Sequence, residues 1–327
     1  MKLLITGGAG FIGGNFIRYY LQAHPGCAIV NLDKLTYAGN RASLKDIEDQ
    51  PAYRFVQGDI CDVNLVRELI ADGVDVVVNF AAESHVDRSI HDAAVFLDTN
   101  IQGTYNLLKC SRDAGVALFL QVSTDEVYGS LGSTGFFTER STIQPNSPYA
   151  ASKAAADLVC RSLYETFGFP VIISRSCNNF GPYQFPEKLI PLFITNLLED
   201  CPVPVYGDGL NVRDWIHVED HCRALDAILQ KGQPGEVYNV GARQEKTNLE
   251  ITTIILRELG KPESYKKFVE DRLGHDRRYA IDPAKLEKEL DWRPAFGFEQ
   301  AIKDTVAWYR DNPEWWKPLK HKTGQTD

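Results

Sequence analysis

Three consecutive residues in the middle of the chain carry a hydroxyl and two carboxyls. Thr124, Asp125 and Glu126 directly follow the apolar run of residues 119–123, which predicts a buried strand. Ionisable groups beside a core cost free energy unless they are paired or hydrogen-bonded, so acid–base chemistry is the favoured explanation. Two carboxylates that are simply solvated at a strand end are the alternative. Successive strand residues point to opposite faces, so both carboxyls can reach one substrate only if the strand ends first, as the following Tyr-Gly favours.

A tyrosine and a lysine further along the chain could oxidise an alcohol. Tyr149 and Lys153 are four residues apart at the start of a predicted helix, so their side chains share one face. A nearby ammonium favours the phenolate and lowers the pKa of a tyrosine from its usual value of about 10. Tyr149 is therefore predicted to act as a general base. The spacing alone is common by chance, and its weight comes from the other motifs.

A glycine-rich turn near the N-terminus predicts a dinucleotide site. Gly7, Gly10 and Gly13 lie between a predicted strand and a predicted helix, where glycines let a pyrophosphate approach the amides of the helix N-terminus. Asp33 ends the next predicted strand, twenty residues after Gly13, where a carboxylate binds a ribose 2′-hydroxyl and repels a 2′-phosphate. The predicted cofactor is NAD rather than NADP, with Lys34 the one contrary feature. A glycine turn that binds nothing is the alternative.

The elements that must hold these residues alternate between strands and helices. The predicted strands are continuously apolar, as in a parallel sheet that helices cover on both faces. Their sequences are KLLIT, AIVNL, RFVQG, DVVVNFAA, ALFLQVS and PVIISR, and the main helical segments are residues 11–23, 62–71, 92–114 and 147–167. This alternation predicts an α/β fold of the Rossmann type with a doubly wound parallel sheet.

The second half of the chain predicts a smaller C-terminal α/β lobe. After about residue 176 the pattern becomes irregular, with many prolines and glycines, short strands such as DWIHV and VYNVG, and helices near 218–230, 248–259 and 298–311. We expect residues 1–176 to form the NAD-binding domain, joined by chain from about 213–240. Residues 177–327 are expected to form mainly the substrate-binding domain.

Composition argues against several classes of function. The chain has 327 residues, a formal charge of −9 and a pI near 5.4, whereas a nucleic-acid partner needs a basic face. No apolar stretch approaches bilayer-spanning length, and the N-terminus reaches glycine too early for a signal peptide. The seven cysteines are odd in number and contain no CxxC pair, as expected of reduced thiols in a cytoplasm.

Together these motifs resemble those of the dTDP-glucose 4,6-dehydratase family, within the extended short-chain dehydrogenase/reductase superfamily. The matching segments, in order along nearly the whole chain, are TGGAGFIG, DKLTYAGN, AAESHVDRSI, STDEVYG, SPYAASKAAAD, NNFGPYQFPEKLIP, VYGDG, VRDWIHVEDH, GHDRRYAID and WRPAFGFEQAI. Related epimerases typically lack the acid–glutamate pair after the threonine, and GDP-mannose dehydratases typically have Ser-Glu there. The Asp-Glu pair is the dehydratase mark.

The resemblance implies a lyase that converts dTDP-glucose to dTDP-4-keto-6-deoxyglucose. Oxidation at carbon 4 would be followed by loss of water across carbons 5 and 6 and by reduction at carbon 6, with NAD restored in each turnover. Tyr149, helped by Thr124 and Lys153, would serve the oxidation. Glu126 would remove the carbon 5 proton and Asp125 would protonate the departing 6-hydroxyl. Asp125 must then start protonated and Glu126 ionised, a split that different environments can impose.

The resemblance also implies which residues bind the two ligands. The predicted NAD-binding residues are Gly7, Gly10, Phe11, Ile12, Gly13, Asp33, Lys34, Thr36, Asp59, Ile60, Ala81, Ala82, Ser84, Thr99, Tyr149 and Lys153. The predicted substrate-binding residues are His85, Thr124, Asn179, Lys188, Leu189, Pro204, Tyr206, Arg213, Asn248, Arg272 and His275. Arg213 and Arg272 are the candidates for charge-assisted phosphate contacts, and an ordinary surface ion pair is the alternative for either.

Three other functions stay open at this point: the same reaction on UDP-glucose, a sugar-nucleotide 4-epimerase, and an NAD-bound sensor without catalysis. The resemblance further implies a cytoplasmic homodimer, packed through the helices near 92–114 and 147–167, in a deoxysugar pathway such as that of rhamnose. No nucleic-acid or membrane partner is expected. No metal is expected either, because the helical spacing of His217 and His221 lacks the glutamate that a zinc-protease helix needs.

Overall fold

The computed structural model describes residues 1–271 and 273–323, with side chains as far as residue 320. The strands are β1 (Lys2–Thr6), β2 (Ala28–Asp33), β3 (Tyr53–Gln57), β4 (Val76–Asn79), β5 (Leu118–Thr124), β6 (Val171–Ser176), β7 (Asn178–Phe180), β8 (Val203–Tyr206), β9 (Val212–His217), β10 (Val237–Val240), β11 (Glu245–Thr247) and β12 (Lys266–Val269). The helices are α1 (Phe11–Ala23), α2 (Val63–Ala71), α3 (Val86–His91), α4 (Ala94–Phe96), α5 (Thr104–Asp113), α6 (Pro148–Phe167), α7 (Leu189–Leu198), α8 (Val218–Lys231), α9 (Asn248–Glu258), α10 (Ala284–Leu290), α11 (Phe298–Asp311) and α12 (Pro313–Thr323). Tighter 3₁₀ turns cover Arg41–Leu44, Asp125–Tyr128 and Glu263–Tyr265, and a π-helical segment covers Leu97–Gly103. No helix among the described residues is long and apolar enough to cross a membrane.

The main sheet is parallel throughout and has the order β10-β6-β5-β4-β1-β2-β3. Its strands are apolar on both faces, as β1 illustrates: Leu3 and Ile5 belong to one buried cluster and Leu4 to another. Alternate residues of a strand point to opposite faces, so a sheet covered on both sides needs this continuous apolarity. The predicted Rossmann-type fold is confirmed.

The strand order reverses beside β1, which lies between β2 and β4. In a doubly wound sheet the loops at the carboxyl ends of the strands diverge at such a point and leave a crevice. The glycine-rich turn follows β1, and Thr124, Asp125 and Glu126 lie at the end of β5. The fold therefore brings them to one edge.

A second, smaller set of elements forms the C-terminal lobe. Its sheets have the orders β11-β9-β7 and β12-β8, and it has its own apolar cluster, which includes Trp215, Ile255 and Ile302. The predicted boundary after residue 176 falls between β6 and β7, and β10 returns to the main sheet beside β6. The division into two domains stays a prediction.

The segment 92–114, predicted as one helix, is divided into α4, the π-helical segment and α5. The wider turn contains the buried Asn100, whose Nδ2 donates to Glu83 O at 3.0 Å and to Ser152 Oγ at 2.8 Å. Asn100 Oδ1 accepts from Glu83 N at 2.9 Å. The irregularity thus ties the loop after β4 to α6, a tertiary requirement that helical periodicity does not encode.

Candidate active site

A cavity of about 330 Å³ lies at the carboxyl edge of the main sheet, where β1, β2, β4, β5 and β6 end. Every residue predicted to bind NAD lines this cleft. Thr124, Asp125 and Glu126 line it as well. The structure therefore brings the predicted cofactor residues and the predicted catalytic residues into one site.

The turn after β1 can bring an anion close to backbone amides. Gly7 has a φ of +71°, and a Cβ there would lie 2.6 Å from Ala81 N. A Cβ at Gly13 would lie 2.6 Å from Gly7 O, so both glycines are required by close backbone approach. Gly10 is the N-cap of α1 and provides no side-chain acceptor for the first-turn amides. These amides, at the positive end of the helix dipole, fit a pyrophosphate.

Asp33 is held by one backbone amide on each oxygen. Ala9 N donates to Oδ2 at 2.9 Å and Leu35 N donates to Oδ1 at 2.8 Å. Burial raises the pKa of Asp33, whereas these hydrogen bonds lower it. A carboxylate oxygen can accept more than one hydrogen bond, so Asp33 retains acceptor capacity for ribose hydroxyls.

Lys34, the feature that argued against NAD, is paired with another residue. Its Nζ lies 2.7 Å from Asp59 Oδ2. The hydrogen bond to Asp59 raises the pKa of Lys34. Because a carboxylate already balances this ammonium, the residues around Asp33 fit a dinucleotide with a free 2′-hydroxyl better than one with a 2′-phosphate.

The three consecutive reactive residues lie at the turn where β5 becomes a 3₁₀ helix. Thr124 is the last residue of the strand and caps the turn, since its Oγ1 accepts from Glu126 N at 3.3 Å. The same hydroxyl donates to Asp125 Oδ1 at 3.3 Å. The strand has therefore ended before the two carboxyls, which is the condition for both to reach one substrate.

Asp125 is placed in a position that disfavours its charged form. Its side chain is only 2% exposed, and Oδ2 has no hydrogen-bond partner among the described residues. Burial raises the pKa of Asp125 well above its ordinary range, and the charges of Glu126 and Asp214 raise it further. Arg213 and the hydrogen bond from Thr124 oppose this rise. These surroundings favour the neutral carboxyl, which is the form that can donate a proton.

Helix α6 positions the tyrosine and the lysine. Ser147 caps it by accepting from Ala150 N at 3.1 Å, and a proline occupies its first turn. Tyr149 and Lys153 are both buried and both line the cleft. Lys153 Nζ donates to Val122 O at 2.8 Å, which fixes its ammonium beside β5.

The pKa of Tyr149 differs from the lowered value expected from the sequence. Burial raises it well above its ordinary value, and the charges of Glu126 and Asp125 raise it further, while the hydrogen bond with Thr124 lowers it. The spacing of tyrosine and lysine carried no information on burial or on how near the two carboxyls would lie. A phenolate here therefore needs additional positive charge in the cleft.

Two predicted substrate residues line the cleft in addition to Thr124. Lys188 Nζ donates to Ser84 O at 3.1 Å. The amide of Asn179 is already used within the protein, since Nδ2 donates to Cys177 O at 2.9 Å and Oδ1 lies 2.8 Å from His221 Nδ1. Asn179 therefore helps to shape the wall of the cleft.

The other predicted substrate residues lie outside the lining of the cleft, and their roles stay predictions. They are His85, Leu189, Pro204, Tyr206, Arg213, Asn248 and His275. Arg272 lies outside the described residues. Arg213 is buried, donates from Nη2 to Asp276 O at 2.9 Å, and has its guanidinium carbon 4.2 Å from the centre of the Tyr279 ring. This burial argues against the alternative of a surface ion pair for Arg213.

Several residues that line the cleft were not predicted. They are Leu32, Ala38, Gly39, Gly58, Phe80, Glu83, Val122, Ser123, Ser176, Asn178, Gln184, Phe185 and Glu187. Ser176 ends β6 at the carboxyl edge of the sheet, a position where ligands bind in doubly wound folds, so this signal was available. Glu187 precedes α7 in irregular chain, and no periodic pattern points to it.

The two histidines considered for metal binding do not share a helix. His217 ends β9 and His221 lies in α8. His221 is fully buried, and burial lowers its pKa to about 3. Within residues 1–271 and 273–323, no group of three or more His, Cys, Asp or Glu side chains is arranged to hold a metal ion.

The parallel sheet, the glycine turn beside Asp33 and the Thr-Asp-Glu and Tyr-Lys residues of the cleft define a Rossmann-type protein of the extended short-chain dehydrogenase/reductase superfamily. Comparison with known proteins narrows this class. A family model described as GDP-mannose 4,6 dehydratase matches residues 4–305. The chain therefore belongs to that family of sugar-nucleotide dehydratases.

Individual relatives cover nearly the whole chain. The low-salt glycan biosynthesis protein Agl12 of Haloferax volcanii is 54% identical over 96% of this chain and 100% of its own. A dTDP-glucose 4,6-dehydratase of Streptomyces niveus is 49% identical over 98% of this chain and 96% of its own. The crystal structure of DesIV, a dTDP-glucose 4,6-dehydratase from Streptomyces venezuelae with NAD and TYD bound, matches with a TM-score of 0.96 and 54% identity, covering 98% of this chain and 100% of that one. The resemblance to dTDP-glucose 4,6-dehydratases is confirmed.

Proposed function

We propose that this protein is an NAD-dependent lyase that converts dTDP-glucose to dTDP-4-keto-6-deoxyglucose. The observation that carries the proposal is the buried carboxyl of Asp125, which lies directly beside Glu126 in surroundings that raise its pKa. An enzyme that only oxidises and reduces carbon 4 has no use for such an acid. Relatives named dTDP-glucose 4,6-dehydratase, similar over nearly the whole chain, support the same reaction.

The cleft residues divide between the two ligands and the reaction. The residues around the glycine turn and Asp33 would hold NAD, whose chemistry when bound is the transfer of hydride out of and back into the same sugar. Tyr149 would take the proton of the 4-hydroxyl, with the Thr124 hydroxyl as its neighbour. Lys153, fixed by Val122 O, would supply positive charge to this end of the cleft.

Loss of water would then depend on the two carboxyls. A ketone at carbon 4 acidifies the proton at carbon 5, and Glu126, which is partly exposed, would remove it. Asp125 would give its proton to the oxygen leaving carbon 6, so that water departs. An acid and a base side by side require different environments, and burial provides this difference at Asp125.

The proposal also assigns individual residues to the substrate pocket. Lys188 and Asn179 would contact the sugar nucleotide from the cleft wall. His85, Leu189, Pro204, Tyr206, Arg213, Asn248, Arg272 and His275 would complete the pocket. Among these, buried Arg213 offers a fixed positive charge for a phosphate.

Incubation of the purified protein with dTDP-glucose, and separately with UDP-glucose, tests the function. Both reactions are followed by mass spectrometry, first without and then with added NAD. We expect the loss of one water from dTDP-glucose. Loss from UDP-glucose alone would keep the reaction and change the substrate. No loss from either substrate with NAD present would overturn the proposal in favour of an epimerase or an NAD-bound sensor.

We further infer a homodimer whose subunits pack through α5 and α6, together with α4 and the π-helical segment that precede α5. The support is a set of exposed apolar side chains on these elements, which are Val95, Leu97, Tyr105, Leu158 and Phe167. Exposed apolar residues that recur on adjacent helices are typical of interfaces between subunits. A cytoplasmic location also belongs to the proposal, and its support is that the seven cysteines are free thiols.

A further inference from the structure

Four side chains from three separate segments meet beside the cleft. Tyr37 lies in the loop between β2 and the 3₁₀ turn at Arg41–Leu44, and Arg88 lies in α3. Phe185 and Glu187 lie in the irregular segment between β7 and α7. These four residues are called the clasp below.

The contacts within the clasp combine aromatic, cation–π and ionic interactions. The Arg88 guanidinium carbon lies 3.8 Å from the centre of the Tyr37 ring. The Tyr37 ring meets Phe185 edge-on, with centroids 5.7 Å apart and an angle of 90° between the planes. Arg88 Nη2 lies 3.7 Å from Glu187 Oε2, and the Glu187 side chain is only 9% exposed. Arg88 therefore joins the loop after β2 to the segment before α7.

The clasp connects two segments of the chain that form walls of the cleft. Thr36, Ala38 and Gly39, which flank Tyr37 in the chain, line the cleft, and so do Phe185 and Glu187 of the clasp. Tyr37 and Arg88 are not among the described residues that line it. Replacing Tyr37 or Arg88 therefore removes contacts between the two segments without removing a side chain that lines the cleft.

The loop that carries Tyr37 is also tied to the carboxylate predicted to bind ribose. Leu35 N donates to Asp33 Oδ1 at 2.8 Å, and a Cβ on Gly39 would lie 2.9 Å from the same oxygen. Residues on both sides of Tyr37 in this loop therefore lie next to Asp33. Any separation of the two walls must break clasp contacts next to this site.

We propose that the clasp retains NAD in the cleft between turnovers by holding these two walls together. The need for retention rests on the proposed function, in which the cofactor is restored in every turnover and has no reason to leave. A ligand leaves a closed cleft only as fast as its walls open. Losing the cation–π contact, the aromatic contact or the ion pair should therefore accelerate release.

The rate of NAD release from the purified holoprotein tests this proposal. The protein is saturated with NAD, desalted rapidly, diluted, and sampled by filtration to measure the NAD that stays bound over time. We expect Tyr37→Ala and Arg88→Met to release NAD on the order of fivefold faster than the wild type. Tyr37→Phe keeps the ring that contacts Arg88 and Phe185, and should release NAD at close to the wild-type rate.

A control variant separates the clasp from general loosening of the fold. Tyr265 also contacts a lysine, since the centre of its ring lies 5.5 Å from Lys261 Nζ. Tyr265 belongs to the lobe and does not line the cleft. Tyr265→Ala should leave the release rate unchanged. Melting temperatures are measured for all variants, and Arg88→Met carries the test if Tyr37→Ala does not fold, because the Arg88 side chain is 40% exposed.

The outcomes distinguish failure of the clasp from failure of the proposed function. Wild-type release rates in Tyr37→Ala and Arg88→Met, with normal melting, would overturn the clasp even if dTDP-glucose still loses water. An equal increase in the rate of NAD release from Tyr265→Ala would also overturn the proposed role of the clasp. Faster release in the two clasp variants alone would support the clasp, and would do so even if the wild type fails to dehydrate either sugar nucleotide.

Discussion

Asp125 acts as an acid in the proposed reaction because its surroundings favour the protonated carboxyl. We expect Asp125→Asn to slow the loss of water by about 10² to 10⁴-fold, the usual contribution of a positioned acid. Mass spectrometry of the product from dTDP-glucose measures this directly. Undiminished water loss in Asp125→Asn would show that another group protonates the leaving hydroxyl.

The raised pKa of Asp125 also predicts how stability depends on pH. Above the ordinary pKa of a carboxyl, the unfolded chain releases this proton while the folded chain keeps it, so Asp125 lowers stability increasingly until pH passes its folded-state pKa. Asp125→Asn cannot ionise and should gain stability relative to the wild type as pH rises through this window. Denaturant unfolding at several pH values provides the measurement.

Asp113, whose pKa is lowered rather than raised, serves as the control. Asp113 is exposed, accepts from Arg112 Nη2 at 2.7 Å, and has its pKa lowered by that hydrogen bond. Its contribution to stability is present above the unfolded-state pKa and is lost as pH falls through the folded-state pKa. Asp113→Asn should therefore show no relative gain with rising pH. The same trend in both variants would contradict the assignment.

For individual residues, the sequence predicted which polar side chains line the cleft better than it predicted their pKa values. Gly7, Gly13 and Asp33 could be recognised because their spacing reflects a requirement of the backbone turn. The pKa of Tyr149 could not, because it depends on burial and on carboxyls brought near by folding. Glu187 was also missed, since its neighbours in the clasp come from distant parts of the chain.

At the scale of elements, β6 and α6 are joined by a buried ion pair that also contacts the turn Asp125–Tyr128. Arg175 Nε donates to Asp157 Oδ2 at 2.9 Å, and both side chains are at most 5% exposed. Arg175 Nη1 also donates to the hydroxyl of Tyr128 at 3.0 Å. Tyr128 closes the turn that carries Asp125 and Glu126. The ion pair therefore braces the helix of Tyr149 against the turn of the two carboxyls.

Removing one partner of the Arg175–Asp157 ion pair should lower the stability of the folded protein. Arg175→Met leaves the Asp157 carboxyl buried without its partner and should lower the free energy of unfolding by about 3 to 5 kcal/mol. The double variant Asp157→Leu with Arg175→Met removes both charges and should lose less than Arg175→Met alone. Denaturant unfolding of the single and double variants tests this, and a double variant less stable than Arg175→Met would contradict it.

The regular elements could be predicted wherever one simple pattern dominated. The apolar runs of β1 to β6 and the periodicity of α1 and α6 correspond to the observed elements, because a sheet covered on both faces leaves little choice of residue. The π-helical segment at Leu97–Gly103 could not be predicted, since contacts of Asn100 with other elements accompany it. Tertiary contacts override local periodicity there.

At the scale of the whole molecule, the exposed apolar side chains of α6 point to assembly. Leu158 is 54% exposed on this helix. Leu158→Glu would place a charge in the proposed interface and should convert the dimer to a monomer in light scattering after size-exclusion chromatography. Phe268 is 57% exposed and belongs to β12, in the two-stranded sheet with β8, rather than to α5 or α6. Phe268→Glu should leave the mass unchanged, and a wild-type protein that is already monomeric would contradict the dimer.

The position of β10 at the edge of the main sheet bears on how the protein emerges from the ribosome. A nascent chain that ends soon after β6 cannot complete the sheet, because β10 has not yet been synthesised. In the complete sheet Val237 of β10 pairs with Ile173 of β6. Until then the outer edge of β6 offers unpaired backbone groups to any neighbouring strand. Polypeptides interrupted between Ser176 and Val237 should therefore aggregate more readily than chains that extend past β10, because β10 covers this edge of the nucleotide-binding sheet.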